Sequence, residues 1–519
     1  MRRALVIVSA FLLLVSCGEK EPDYKGTPAL QLSLVEVSHT TATVSVDCIF
    51  AEKLYLHCTP DSTVPDVKEV IASACTVLEG KRPGGVAETE QVVLEGLSPG
   101  SKYYLYGVAA RADGAVSSVE MLAFLTGIEA GDLYAWEQGR DGAPFFADLT
   151  LCTGGGTPNS NSWFTVPTYW DRDRFAPHVS FVDDDGNEKW LFEAFLAITG
   201  IDMNGRNYGI NTNGRLSADK ASWEALLAYW MDKGGAFDEL DAAVDEASRR
   251  IGGTVPTRYV VMEMPDPIMF ERFTDKGSST TYWGALDGNL LDFSRIDDQI
   301  RALEWYVDTA RARFAALAPK HLELAGFYIL SEELVAKTDG WNYQYKRWDR
   351  ILPPVGEFLN ARNEGLYWIP YLGADGTDMW QELGIDAAWL QPNYYWDYNN
   401  AKPIAQACKQ MASLGMGMEL EFEYSMVESV MKTPGIMGPD GSGNYVFRLA
   451  DVPALRERFR AYMDSYKAAG LYGKRPVALY SGSNALWQLA NSAEKDDIAM
   501  YRELCRFISE SPLRNVFQK

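Results

Sequence analysis

The sequence predicts a two-part chain, an N-terminal all-β sandwich followed by a mixed α/β unit of (β/α)8 barrel type. Three observations carry this. Between about Ala29 and Gly127, short alternating runs are separated by Gly and Pro turns. Beyond Gly127, eight apolar runs of the buried, parallel-sheet kind alternate with long helical stretches. A chain of 519 residues is also long enough for at least two domains.

Taken in order, residues 1–17 read as a targeting segment. Arg2 and Arg3 precede an apolar run from Ala4 to Val15, too short for a permanent membrane span. Leu14-Val15-Ser16-Cys17 resembles a bacterial lipobox, which implies that Cys17 becomes the lipidated first residue of the mature protein. Gly18 rather than Asp follows it, so the resemblance implies anchoring at the outer membrane, on its surface or periplasmic face. Residues 18–28 read as a short polar tether. Nothing later reads as a transmembrane helix.

Residues 29–127 form the expected sandwich. Ala42-Thr43-Val44-Ser45-Val46 alternates at period two, and Gln91 to Leu94 leads through a turn into Tyr103 to Val108. Leu97-x-Pro99-Gly100-x-x-Tyr103 resembles the fibronectin type III corner, in which the tyrosine hydroxyl ties back to the preceding turn. That resemblance implies a spacer or docking module.

The barrel is expected over residues 128–519. Its strands are read at 147–152, 194–198, 258–264, 326–331, 367–371, 387–391, 416–423 and 477–480, with helices most clearly at 218–250, 294–318, 344–361, 451–469 and 492–509. A hairpin around Val179 to Glu188 is expected in the first loop. There Asp183-Asp184-Asp185-Gly186 reads as a turn, since it lacks the downstream glutamate of a calcium loop. Thr153-Gly154-Gly155-Gly156-Thr157 lacks the Lys-Ser/Thr of a phosphate loop and reads as a flexible connection.

Charge and composition narrow the function. With 71 acidic against 48 basic side chains, the net charge of -23 argues against nucleic acid or anionic lipid headgroups as partners and favours a neutral substrate. The four histidines, His39, His57, His178 and His321, have no metal-ligand spacing, so zinc and Ser-His-Asp chemistry are not expected. No cofactor is expected either. Export permits a disulfide among Cys48, Cys58 and Cys75, without choosing a pair.

Barrel enzymes carry their chemistry at the C-terminal ends of the strands. The fourth run ends Ser331-Glu332-Glu333, and the seventh is Met418-Glu419-Leu420-Glu421-Phe422-Glu423, whose alternation puts three carboxyl groups on one face. Two carboxyl groups across a cavity suit glycosidic hydrolysis, one as proton donor and one as nucleophile or base. Crowding would keep at least one protonated near neutral pH. Glu332 is therefore the expected acid/base and Glu421 the expected nucleophile. Glu333 is its rival on the opposite face, Glu419 is expected deeper as a paired structural carboxylate, and Glu423 as a sugar-hydroxyl ligand. Glu263, at the end of the third strand, is read as either a core-facing or salt-bridged carboxylate or a substrate-binding one. Gln391, Asn393, Tyr394 and Trp396 are expected to supply fixed polar contacts and flat faces to a sugar. Other aromatic residues near strand ends, among them Trp163, Tyr169, Trp170, Tyr282, Trp283, Trp341 and Tyr343, are expected mostly to pack.

The acid-bearing fourth and seventh strands resemble the clan of retaining glycoside hydrolases that place the acid/base after strand four and the nucleophile after strand seven. That clan has Asn before its acid/base, where this chain has Ser331. More closely, Gly326-Phe327-Tyr328 to Glu332, Trp368-Ile369-Pro370-Tyr371, Leu390-Gln391-Pro392-Asn393-Tyr394 and Gly415 to Phe422 are similar to an uncharacterised family of bacterial secreted barrels known as a domain of unknown function. The resemblance implies a carbohydrate substrate and possible partners in surface glycan uptake. A non-catalytic glycan-binding lipoprotein on the same barrel is the alternative.

Overall fold

The computed structural model describes residues 26–38, 40–61, 63–82, 88–98, 102–126, 145–154, 169–210, 214–334, 347–396, 403–433, 438–439, 446–482 and 484–514. Cys17, the tether up to Lys25, Pro99, Gly100, Trp163, Trp341, Tyr343 and Gly155 to Thr157 lie outside the described residues. The chain divides into two compact units.

In the N-terminal unit, strands Ala29–Val37, Thr41–Ile49 and Glu88–Glu95 make one antiparallel sheet. Thr76–Arg82, Ala51–Thr59, Lys102–Ala110 and Glu120–Leu125 make a second. The period-two pattern of Thr41–Ile49 buries Ala42, Val44, Val46 and Cys48 while their neighbours stay partly open. These side chains share one core with Leu54, Leu56 and Leu105 of the other sheet. The Ser98 N–H donates to the Tyr103 hydroxyl at 3.0 Å, tying the strand to the turn before it. Cys48, Cys58 and Cys75 are not joined to one another by a disulfide.

In the second unit eight parallel strands close into a barrel in sequence order. They are Asp148–Thr153, Ala194–Ile198, Arg258–Met264, Leu322–Ile329, Gly365–Trp368, Ala387–Leu390, Gly417–Glu421 and Val477–Tyr480, called strands one to eight below. Small and large side chains fill the interior together, with Ala194, Ala325, Ala387 and Ala478 beside Tyr367 and Trp389. Phe146 stacks on Trp389 with ring centroids 5.9 Å apart. Strand four bulges after Leu324, and Gly326 there has φ +154. A side chain at Gly326 would sit 2.0 Å from the Gly365 carbonyl oxygen, so only glycine lets strands four and five meet.

The helices follow the apolar periodicity with one clear difference. The single stretch expected over 218–250 is two helices, Lys220–Met231 and Ala236–Ile251, because Gly234 takes φ +80 between them. The others are Ile296–Leu317, Trp348–Asn360, Ile404–Leu414, Val452–Ala468, Ala485–Ala490 and Lys495–Ser509. The extra hairpin pairs Ser180–Val182 with Glu188–Trp190. It follows helix Arg172–Val179 and leads into strand two, rather than lying in the loop straight after strand one. At its tip the Asp183 carboxylate accepts the Asp185 and Asn187 N–H groups at 3.0 and 2.8 Å, which makes it a side-chain-closed turn. Among the described residues, no helix is long and apolar enough to cross a membrane.

Candidate active site

Strands three, four and seven deliver carboxyl groups to the C-terminal mouth of the barrel. On strand seven the apolar face, Met418, Leu420 and Phe422, is fully buried, and the acidic face is scarcely less so. Glu421 is 0% exposed and Glu419 2%. Strand pairing ends at Glu421, and Glu423 stands half-buried just before a short turn of helix, accepting the Tyr480 hydroxyl at 3.2 Å.

Glu421 is held by one oxygen. Its Oε2 accepts the Tyr462 hydroxyl and the Asn393 N–H, each at 2.7 Å. The Tyr462 oxygen in turn accepts the Tyr395 N–H at 2.7 Å, so its proton is directed to Glu421. Asn393 presents its N–H from a left-handed backbone conformation, φ +56, which asparagine tolerates better than most residues. Oε1 is buried with no hydrogen-bond partner among the described residues. Burial pushes the Glu421 carboxyl up to about 8. Tyr462, the Asn393 N–H and the Gln391 side chain pull the other way, and Glu332 adds repulsion.

Glu419 was expected deeper in the barrel as a paired structural carboxylate, and it is buried. No cation pairs with it among the described residues. Burial and then the neighbouring carboxyls of Glu421 and Glu332 drive it well above the usual range.

Just past the end of strand four, Glu332 is solvent-exposed and near enough to Tyr328 to act on it electrostatically. Desolvation by the surrounding protein, then Glu333, raises its carboxyl. Glu333 is half-buried and accepts the Tyr371 hydroxyl.

The strand-three side holds a pair that the motifs only half revealed. Glu263 is 0% exposed, which fits the core-facing reading, and it is not salt-bridged among the described residues. One oxygen accepts the Thr199 N–H, the other has no partner, and burial followed by Asp266 keeps the carboxyl well above its ordinary value. Asp266 is also buried. Its Oδ2 accepts the Ser331 hydroxyl at 2.7 Å and the Ile210 N–H at 3.0 Å, Oδ1 is unpartnered, and burial raises it to about 7. The Ser331 carbonyl meanwhile accepts Trp368 Nε1–H at 2.8 Å. The residue just before Glu332 is thus fixed from both sides. Tyr328 lies within the field of Glu332, Glu419, Glu263 and Asp266 together.

The remaining expected residues line the strand-six side. Gln391 donates to Asn393 Oδ1 at 3.3 Å. Tyr394 packs on Tyr462 and carries the Arg458 guanidinium 4.1 Å from its ring centre. Trp396 meets Tyr480 edge-on at 6.0 Å, which brings it beside Glu423. Trp170 and Trp283 are buried packing, as expected. Tyr462, Tyr480 and Asp266 were not singled out from sequence. The first two come from distant segments with no motif, whereas Asp266 sits in Pro265-Asp266-Pro267, a rigid setting that marks a fixed side chain. Among the described residues no group of three or more His, Cys, Asp or Glu is placed to hold a metal ion.

Fold and site together define a (β/α)8 barrel with a cluster of buried carboxyl groups at its C-terminal mouth that no arginine or lysine pairs with among the described residues. The chain belongs to the family described as domain of unknown function DUF4855, whose model matches residues 162–434. No curated protein matches it. Among solved structures it is similar to Bifidobacterium dentium β-glucuronidase complexed with coumarin-3-O-glucuronide, at 12% identity, over 87% of this chain and 60% of that one, TM-score 0.27. It is similar to Bacteroides uniformis β-glucuronidase 3 at 8% identity, over 90% and 52%, TM-score 0.29. A putative α-galactosidase from Bacteroides fragilis matches at 10% identity, over 93% and 78%, TM-score 0.28. The chain spans little more than half the length of either β-glucuronidase. The barrel itself is shown by its own strand pairing.

Proposed function

We propose that the protein is a glycoside hydrolase that cleaves a poly- or oligosaccharide by a two-carboxylate, retaining mechanism. The observation that carries this is the cluster itself: Glu332, Glu419 and Glu421 act on one another at the barrel mouth with raised carboxyl pKa values. Glu332, solvent-exposed and protonated, gives its proton to the leaving oxygen as the glycosidic C–O bond breaks. Glu421, oriented through Oε2, attacks the anomeric carbon through Oε1 in its ionised form, giving a glycosyl ester. Water, giving its proton to the Glu332 carboxylate, then attacks the anomeric carbon; the bond from that carbon to Glu421 Oε1 breaks, which frees the sugar and restores the Glu421 carboxylate. Glu263, Gln391, Asn393, Tyr394, Trp396 and Glu423 frame the substrate. No step requires a cofactor.

We also propose, from the sequence of residues 1–17, that Cys17 carries a lipid anchor holding the protein at the outer membrane, with residues 29–127 as a fibronectin type III-like spacer. Partners in a surface glycan-uptake system would fit that placement. Metabolic labelling with an alkyne fatty acid that persists in Cys17→Ala would defeat the anchor.

The test of hydrolysis is reducing-sugar release from plant, host and microbial glycans by the protein from Glu19 onward, beside Glu332→Gln and Glu421→Gln. Release lost in both folded variants supports the assignment, and retention of configuration in the product supports the covalent route. Binding without release from any glycan would move the reading to a non-catalytic glycan-binding lipoprotein.

A further inference from the structure

The loop after strand two does two jobs. Its backbone reaches the carboxyl cluster, through the Thr199 N–H on Glu263 and the Ile210 N–H on Asp266, and the Tyr208 carbonyl accepts the Asp266 N–H at 2.9 Å. Between those anchors, residues 202–208 line a separate cavity of about 320 Å³ with the first turns of helix Lys220–Met231. The cavity therefore lies on the same C-terminal face as the cluster and shares a wall with it.

Its chemistry is mixed in the way a sugar ring requires. Tyr169 and Met203 stand among its lining residues, 59% and 68% exposed, large apolar groups that the fold leaves uncovered. The polar lining is built and oriented. Ser222 Oγ donates to Asp202 Oδ2 at 2.6 Å, and Tyr208 donates to the Ser222 carbonyl at 2.8 Å. Arg206 is turned inward, donating to the Ser217 carbonyl at 2.9 Å with Asp219 3.5 Å away and Glu271 4.0 Å away. Asn204 is exposed beside Met203. Fixed hydroxyl and carboxylate groups next to exposed apolar faces match the alternating C–H and O–H faces of a pyranose, and the volume is at the small end of the range for ligand sites. With two carboxylates against one engaged guanidinium, the wall does not favour an anionic sugar.

We propose that this cavity is an accessory subsite that takes one uncharged pyranose unit of the glycan, so that the chain runs from the Glu332–Glu421 centre across the ends of strands three and two. This rests on the carbohydrate reading above, but its failure is separable from that of hydrolysis. Titration calorimetry of the Glu421→Gln protein would compare di- and hexasaccharides of the cello, xylo, manno and N-acetylchito series, with oligogalacturonate as the charged probe. A hexasaccharide of at least one neutral series should bind more tightly than its disaccharide. Tyr169→Ala should close that gap by about tenfold, the scale of one lost ring contact. Asn204→Ala, at an exposed position, should close it in part and serves if the tyrosine variant does not fold. No length gap with any probe, a gap untouched by both substitutions, or equal affinity for the galacturonate hexasaccharide would each overturn the subsite. A gap that responds, with no cleavage by the unmodified protein, would uphold the subsite while hydrolysis fails.

Discussion

The two ends of the barrel treat buried carboxyl groups in opposite ways. At the N-terminal end, Asp148 opens strand one, Glu193 precedes strand two and Arg258 opens strand three. Asp148 pairs with Arg514 at 2.7 Å and accepts the Glu193 N–H at 2.8 Å, while Glu193 accepts the Ala147 N–H at 2.8 Å. Burial still raises Asp148 to about 6, but Arg514 opposes it. At the C-terminal end Glu263, Asp266, Glu419 and Glu421 are buried as well, and no arginine or lysine pairs with any of them among the described residues. Charge removed from water costs several kcal/mol unless it is paired. One end has met that cost with cations and so serves stability. At the other, no described cation answers the carboxyl groups, and burial favours their protonated forms, the state a site that moves protons needs.

The largest expected effect tests this division directly. Glu421→Gln should lower turnover by about a thousandfold or more, the scale of a lost nucleophile, and should make the barrel more stable at pH 8. The sign follows from proton binding. Folded Glu421 holds its proton up to about 8, whereas the unfolded carboxyl releases it near 4.5, so stability falls as pH rises between those values. Glutamine removes that loss, a gain on the order of 4 kcal/mol at pH 8 and almost none at pH 4. Arg514→Ala at the other end should do the reverse, costing roughly 3–5 kcal/mol by stranding Asp148 while leaving turnover per folded molecule unchanged. Thermal midpoints across pH, with kcat on the same samples, would check both. A Glu421→Gln protein less stable than its parent at pH 8 would end the comparison.

A smaller effect should come from Asp266, a positioning residue that acts through Ser331. Asp266→Asn weakens the hold on the segment before Glu332 without touching the nucleophile. Turnover of substrates with poor leaving groups, which need the proton, should fall about thirtyfold, while activated aryl glycosides lose only about threefold. Equal losses on both would mean that Asp266 merely supports the fold.

How much of this was legible depends on how locally each feature is encoded. Strands two, three and eight have the bounds their apolar runs gave, 194–198, 258–264 and 477–480, because turn residues bracket them. Strand four begins at Leu322, earlier than its densest apolar run, since the bulge before Gly326 interrupts the period there. The acidic alternation of strand seven is local, and so was readable. What holds it is not local. Tyr462 reaches Glu421 from 41 residues away along the chain, on a helix whose pattern marks it only as an apolar core position. That no described arginine or lysine pairs with these carboxyl groups is a property of the assembled barrel, and no single segment carries it.

The smallest effect concerns the tuning of Glu421 rather than its presence. Tyr462→Phe keeps the ring that packs on Phe459 and Tyr394 but removes one of the donors that favour the ionised carboxylate. Without it, the Glu421 carboxyl should move further above about 8, since the hydrogen bond lowers the value and burial raises it. The rising limb of kcat/KM with pH, which reports ionisation of the free protein's nucleophile, should shift upward by about one pH unit, with the plateau reduced only a few-fold. The Asn393 N–H stays in place, so orientation through Oε2 is preserved and only the proton affinity changes. A profile that keeps its limb while losing its plateau would show that Tyr462 orients rather than tunes. A limb that moves downward would mean that Glu421 does not titrate in the rate-limiting form, and the nucleophile would then have to be sought at Glu419.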